Sequence, residues 1–139
     1  MNWFLRMKFR TLYNTFFLFA IVADFADYII TQVGLRRFPA WFEANLYVRV
    51  FMRWLDPFLA STIVFLITLT LIIGSYKLLS KTLNQKPYSE SLKEVGRYVW
   101  TANTVKSTDI LVFTSIALYI ALMYIHALGF LTWLKLITT

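Results

Sequence analysis

The chain has 139 residues, of which 59% are hydrophobic, 19% aromatic and 15% charged. Soluble domains carry about 45–50% apolar and about 25% charged residues, so this composition excludes an ordinary soluble domain and predicts an all-α integral membrane protein. There is no Cys and one His, which excludes disulfides, thiolate metal sites, iron–sulfur clusters and bis-histidine haem within this chain. We attribute the net charge of +7 to basic residues beside anionic lipid headgroups and expect no nucleic-acid partner.

Three apolar runs predict three transmembrane helices in a single membrane domain covering residues 1–139, with spans at about 11–35, 58–79 and 109–133. The basic N-terminus followed by an apolar run resembles a signal peptide. We interpret it as a retained first span, because the run is too long, contains two Asp and lacks a small-residue cleavage site. All five Trp residues fall at proposed span edges, where an aromatic belt is expected.

Two amphipathic segments outside the spans predict helices lying at the lipid interface, at about 40–55 and 91–104. In the first, apolar residues including Trp41, Val48 and Leu55 recur at helical spacing, opposite Arg49 and Arg53. The second carries a capping-box pattern at its start. We favour contact with lipid headgroups for the second helix, and a docking surface for another subunit is the alternative.

The distribution of Lys and Arg predicts the orientation of the chain. Nine basic residues lie at the N-terminus and in the second loop, and five lie in the first loop and the C-terminal tail. The positive-inside rule therefore predicts a multi-pass protein of the cell membrane with its N-terminus in the cytoplasm and its C-terminus outside.

Asp24 and Asp27 are the only charged residues between Arg10 and Arg36. A charged residue at the centre of a span costs about 2.5–3.5 kcal/mol on insertion scales, so such residues usually face protein or water. At 100° per residue, both carboxylates share one helix face with Thr31. Depth counting along antiparallel helices places Asp27 level with Tyr124 and near His126. It places only hydroxyl groups, those of Thr68 and Tyr119, at the depth of Asp24.

Two interpretations of these carboxylates remain open. In the structural one they are protonated or hydrogen-bonded and fix helix packing, with Asp24, Thr31, Asn45 and Tyr124 as intramembrane polar packing residues. In the other, Asp27, Glu43 and His126 form a site near the outer surface for a divalent metal ion or a proton, since carboxylate and imidazole groups are common metal ligands. These residue patterns indicate no cofactor other than the possible divalent metal ion.

The pattern Asp27-x3-Thr31, followed by Glu43-Ala-Asn45, resembles a family of small three-span prokaryotic membrane proteins of unknown function. In that family a first-helix Asp-x3-Thr precedes a Glu-Ala-Asn-Pro motif just beyond the span. This chain has Leu46 in place of the proline. The resemblance implies that Asp27, Thr31, Glu43 and Asn45 are important in this chain. It does not indicate a reaction.

No nucleophile elbow, phosphate-binding glycine loop or zinc-protease motif occurs in the sequence, so no catalytic activity of its own is expected. The small apolar chain, with little outside the membrane, suggests an accessory subunit of a larger membrane complex, for example a respiratory oxidase or membrane monooxygenase. Its partners would be the lipid bilayer and other integral-membrane subunits, with Ala117 and Ala121 as a small-xxx-small helix contact. The alternative is a self-contained membrane protein with the metal or proton site.

Overall fold

The computed structural model describes residues 8–85, 88–100 and 106–139, and no β-strand occurs within these ranges. The described part of the fold has three long helices: α1 (Phe9–Leu35), α3 (Pro57–Gln85) and α5 (Ser107–Thr138). Two short helices lie between them, α2 (Leu46–Phe51) and α4 (Leu92–Trp100), and a 3-10 helix covers Ala40–Phe42. All three long helices are long and apolar enough to cross a membrane, which confirms the predicted all-α membrane fold.

The helices α3 and α5 extend beyond the predicted spans. α3 continues to Gln85, past the exposed side chains of Lys77 and Lys81, and α5 continues to Thr138. The predicted ends of these two spans, at about 79 and 133, lie next to the Lys residues that follow the uncharged runs. Backbone hydrogen bonding does not depend on hydropathy, so a helix continues past the charged residues that mark the membrane boundary.

α1 packs against both of the other long helices, most extensively against α5. The outward faces carry exposed large apolar side chains, including Leu18 and Ile29 on α1, Leu66 and Leu71 on α3, and Leu118 and Leu131 on α5. In a membrane these faces contact lipid.

Among the described residues, two apolar clusters lie in the interior. The larger lies at the end of the bundle where α1 begins and includes Leu12, Tyr13, Ile72, Ile116 and Tyr119. The hydroxyl of Tyr119 is hydrogen-bonded to those of Tyr13 and Ser75, at 3.3 and 3.0 Å. The smaller cluster, Val48, Ala60 and Val64, lies where α2 packs on the start of α3.

The prediction of one continuous interfacial helix over about 40–55 is wrong. The segment comprises the 3-10 helix, an extended break and the six-residue α2, followed by turns before α3 begins at Pro57. Glu43 and Asn45 occupy the break with extended backbone, and both side chains are buried against the spans. Because these two polar groups bind residues of α1 and α5, the local amphipathic pattern is overridden by tertiary contacts.

The second predicted interfacial helix is present as α4, and residues 101–105 of that prediction lie outside the described ranges. The segment before α4 is tied to α5 by Asp109, which accepts hydrogen bonds from the backbone N–H and the hydroxyl of Ser89 at 2.9 and 2.6 Å.

Candidate functional site

Asp24 and Asp27 lie one turn apart on α1, on the face that packs against α5. Both are buried inside the protein, with 1% and 4% of their surface exposed. The side chains are therefore removed from both lipid and bulk water, as expected for ionisable groups within a span. They form the carboxylate pair on which the site is built.

The imidazole of His126 lies between these two carboxylates. Its Nδ1 is 2.8 Å from Asp27 Oδ2, and its Nε2 is 3.3 Å from Asp24 Oδ1. Asp24 Oδ1 also accepts a hydrogen bond from Thr68 Oγ1 on α3, at 2.8 Å. We refer to Asp24, His126 and Asp27 as the carboxylate–histidine cluster; it connects α1 with α5, and Thr68 connects it to α3.

The prediction that only hydroxyl groups lie at the depth of Asp24 is wrong, because His126 also contacts it. Depth counting used the position of the backbone. In a helix the side chain leans toward the N-terminus, so the His126 ring lies deeper in the membrane than its own Cα atom. The predicted level of Thr68 is confirmed by its hydrogen bond to Asp24.

Tyr124 does not take part in the site. Its side chain is 65% exposed. Tyr124 precedes His126 by two positions, which is about 200° around a helix, so the two side chains point to opposite faces of α5. The predicted intramembrane polar contact between Tyr124 and Asp27 is therefore wrong.

Two further sequence-predicted residues complete the surroundings of Asp27. Thr31 Oγ1 donates to Asp27 Oδ1 at 3.5 Å, and Asn45 Nδ2 donates to Asp27 Oδ2 at the same distance. Asn45 is also the N-cap of α2, where its Oδ1 accepts from the backbone N–H of Tyr47 at 3.1 Å. This N-cap hydrogen bond fixes the Asn45 side chain, whose Nδ2 donates to Asp27 of the cluster.

Glu43 makes no hydrogen bond to the carboxylate–histidine cluster with its carboxylate and does not form a common ligand set with Asp27 and His126. Its Oε1 accepts from the backbone N–H of Asn45 at 2.6 Å, and its Oε2 accepts from the indole Nε1 of Trp133 at 2.8 Å. Burial raises the pKa of the Glu43 carboxyl; the hydrogen bonds from the Asn45 backbone and the Trp133 indole lower it, and the nearby Asp27 raises it.

Sequence reasoning missed the roles of Trp133 and Gly129. Trp133 was expected in the aromatic belt but is fully buried, and a Cβ atom on Gly34 would collide with its ring. A Cβ atom on Gly129 would collide with the Asp27 carboxylate. Gly129 lies three positions after His126 on the same helix face, a spacing that could have indicated a close approach.

Ala117 and Ala121 are exposed on α5, on the face that points away from α1 and α3. The small-xxx-small pair is therefore not used for helix packing within the described parts of the chain. Its predicted role in contacts with other subunits stays a prediction.

The described residues include no group of three or more His, Cys, Asp or Glu side chains arranged to hold a metal ion. The reason is geometric. The two carboxylates lie on opposite ring nitrogens of His126, and both Glu43 oxygens already accept hydrogen bonds from other groups. The predicted metal ligands Asp27, Glu43 and His126 are thus near one another without converging on one point.

Comparisons with protein-family models, with curated proteins and with solved structures find no match to this chain. Membership of the family with the Asp-x3-Thr and Glu-Ala-Asn patterns stays a prediction. Its four positions in this chain, Asp27, Thr31, Glu43 and Asn45, are all buried and linked by hydrogen bonds.

Proposed function

We propose that this protein binds and releases a proton at the carboxylate–histidine cluster inside the membrane. The observation that carries the proposal is the position of the His126 ring, with a buried carboxylate beside each of its nitrogens. Imidazole is the side chain whose unperturbed charge change falls between about pH 5 and 8.

The charge of the cluster supports proton binding. With a neutral imidazole and two ionised carboxylates the cluster carries two negative charges, and each bound proton removes one of them. Because isolated charge is costly in a low-dielectric interior, a buried cluster of this composition favours states that hold added protons. His126 lies within 3.3 Å of both carboxylates, so a proton bound at one of the three groups interacts with the other two.

A proton fits this arrangement better than a divalent metal ion. A metal ion needs several ligand atoms directed at one point, whereas these carboxylates are directed at opposite edges of one ring. A proton needs only a donor and an acceptor at hydrogen-bond distance, and His126 Nδ1 with Asp27 Oδ2 supplies both at 2.8 Å.

Potentiometric titration of the purified protein in detergent tests the proposal. We expect Asp27→Asn to change the number of protons taken up between about pH 5 and 8, because the variant breaks the coupled unit. Glu90→Gln is the matched control, because Glu90 is exposed outside the spans and distant from the cluster. Identical curves for the wild type and Asp27→Asn over this range would contradict proton binding.

As to orientation and location, we propose that the protein lies in the cell membrane with its N-terminus in the cytoplasm. The support is the bias of nine basic residues against five. In this orientation the cluster is nearer the outer surface, because Asp27 is eight positions before the end of α1 at Leu35. Asn45 and Glu43 then lie between the cluster and the outside.

A second proposed function is that of an accessory subunit in a larger assembly of integral-membrane proteins, such as a respiratory oxidase or membrane monooxygenase. The observation that favours it is the exposed Ala117/Ala121 pair on the outward face of α5. Small residues at this spacing allow the backbones of two membrane helices to approach closely. The proton site and a subunit role are compatible, because they use opposite faces of α5.

A further inference from the structure

Two polar atoms of the cluster have no hydrogen-bond partner among the described residues: Asp24 Oδ2 and His126 Nε2. Both residues are almost completely buried. Nε2 lies 3.3 Å from Asp24 Oδ1, but without the alignment of a hydrogen bond. Leaving a buried polar atom without a partner is costly, and native proteins usually satisfy such atoms with protein groups or ordered water.

Both residues line one small cavity of about 10 Å³, together with Asp27, Thr31, Asn45 and Ser61. A volume of roughly 10–15 Å³ holds a single water molecule, provided that polar partners surround it. We infer that this cavity binds one water molecule, held by Asp24 Oδ2 and His126 Nε2. The site is distinct from the His126–Asp27 contact, which is direct.

One water molecule satisfies both atoms in either protonation state of the ring. An ionised Asp27 carboxylate can only accept, so beside it the neutral ring carries its hydrogen at Nδ1 and presents a lone pair at Nε2. The water then donates one hydrogen to Nε2 and the other to Asp24 Oδ2. When the ring is protonated, the same water accepts from the Nε2–H group and still donates to Asp24.

The water also connects His126 to Asp24 for proton transfer, a step that rests on the proposed proton-binding function. The imidazolium Nε2–H bond breaks as its proton passes to the water oxygen, and a water O–H bond breaks as its proton passes to Asp24 Oδ2. The products are neutral imidazole, a carboxylic acid and an unchanged number of water molecules. The proton thereby moves between His126 and Asp24 while the ring keeps its Nδ1 hydrogen beside Asp27.

Infrared difference spectroscopy of the full chain in lipid nanodiscs, recorded between about pH 5 and 8, tests the inference. The spectra are compared in D₂¹⁶O and D₂¹⁸O. We expect an O–D stretching band that shifts with the oxygen isotope, because the bound water changes its hydrogen bonds when His126 changes charge. Asp24→Asn should move this band, because the variant replaces one of the two groups that hold the water.

Val64→Ile adds a methyl group beside the cavity and should abolish the isotope-sensitive band, since Val64 also lines it. Val112→Ile is the matched control, because Val112 is equally buried but belongs to the apolar cluster at the other end of the bundle. The band should persist in this control. If Val64→Ile does not fold, the isotope shift in the wild type and its response to Asp24→Asn decide the question.

Two outcomes would overturn the bound water. The first is a wild-type spectrum without an isotope-sensitive band, while His126 ring bands still change with pH; this result leaves proton binding intact. The second is a titration that moves when Na⁺ replaces choline, which would mean that a small cation occupies the cavity. Loss of all pH-dependent bands, by contrast, would contradict the proposed function itself.

Discussion

Gly129 determines how closely α5 approaches the Asp27 carboxylate. An added Cβ atom would lie about 3.0 Å from Asp27 Cγ and closer still to Oδ1, so the carboxylate would have to move. That carboxylate accepts the hydrogen bond of His126, and it has little free space in which to move. The absence of a side chain at this position is therefore a requirement of the cluster.

We predict that Gly129→Ala lowers the free energy of unfolding by about 1–3 kcal/mol, the usual cost of overpacking a core. Gly74→Ala is the matched control, because its Cβ atom would meet nothing within 4 Å. Ala is favoured over Gly in a helix by about 0.5–1 kcal/mol, so the control should be neutral or stabilising. Unfolding in mixed micelles measures both, and equal stabilities of the two variants would contradict the proposed close approach.

Glu43 should make stability depend on pH. Burial raises the pKa of its carboxyl in the folded state, so between the unfolded and folded pKa values the folded chain holds a proton that the unfolded chain has lost. The unfolded state binds fewer protons in this window, and stability therefore falls as pH rises, by at most about 1.4 kcal/mol per pH unit. At pH values below the pKa of Glu43 in the unfolded chain, the contribution of Glu43 to stability is fully present.

We predict that Glu43→Gln flattens this fall in stability above about pH 4.3, the ordinary pKa of a Glu side chain. Glu90→Gln, at an exposed position, should leave the slope unchanged. The measurement is the free energy of unfolding as a function of pH in each variant. A wild-type stability that rises with pH and becomes flat in Glu43→Gln would contradict the sign of the effect.

The polar residues of the site could be identified in the sequence because ionisable groups are rare in apolar spans. Asp24, Asp27 and His126 all stand out for this reason, and their shared location follows from helix spacing and depth. The orientation of the ring toward Asp24 could not be obtained from backbone depth alone. Gly129 was missed because a glycine in an apolar helix carries no polar signal of its own.

At the scale of the elements, the segment between α1 and α3 is fixed to the bundle by polar contacts. The Glu43 side chain links the backbone of this segment, at Asn45, to Trp133 of α5. The Asn45 side chain links α2 to Asp27 of α1. The sequence pattern predicted a helix lying on lipid. The periodicity of apolar residues could not distinguish a helix on lipid from a segment bound to the bundle. It does not identify which polar residues form hydrogen bonds with residues of distant helices.

We predict that Trp133→Phe destabilises the fold by about 1–3 kcal/mol, because it leaves Glu43 Oε2 buried without its donor while keeping an aromatic ring. Trp54→Phe is the matched control, since Trp54 is 76% exposed. Chemical unfolding in micelles measures both. A Trp133→Phe variant as stable as Trp54→Phe would mean that the indole N–H contributes nothing to fixing the loop.

For the whole molecule, hydropathy was sufficient to predict three spans, because their length and apolar character exclude most alternatives. Hydropathy could not predict which faces contact lipid and which contact protein. Ala117 and Ala121 illustrate the limit: their spacing predicts close approach of another helix but does not say whether that helix belongs to this chain, and in the described residues the pair is exposed on the outward face of α5.

We predict that the double variant Ala117→Leu/Ala121→Leu folds normally but loses association with other membrane helices, because bulky side chains prevent close approach. Ala127→Leu, exposed on the flank of the same helix, is the control. Native mass spectrometry after gentle extraction measures the assemblies. Unchanged complexes in the double variant would contradict the use of this face, and a chain that is always monomeric would contradict the subunit proposal.

If His126 shares protons with Asp24 and Asp27, ¹⁵N NMR of histidine-labelled protein should show it. His126 is the only His in the chain, so each ring nitrogen gives one assigned signal. We predict an Nδ1–H signal typical of a strong hydrogen bond, and a titration over about pH 5–8 that changes in both Asp27→Asn and Asp24→Asn. Ring signals that are independent of pH and identical in both variants would contradict the account.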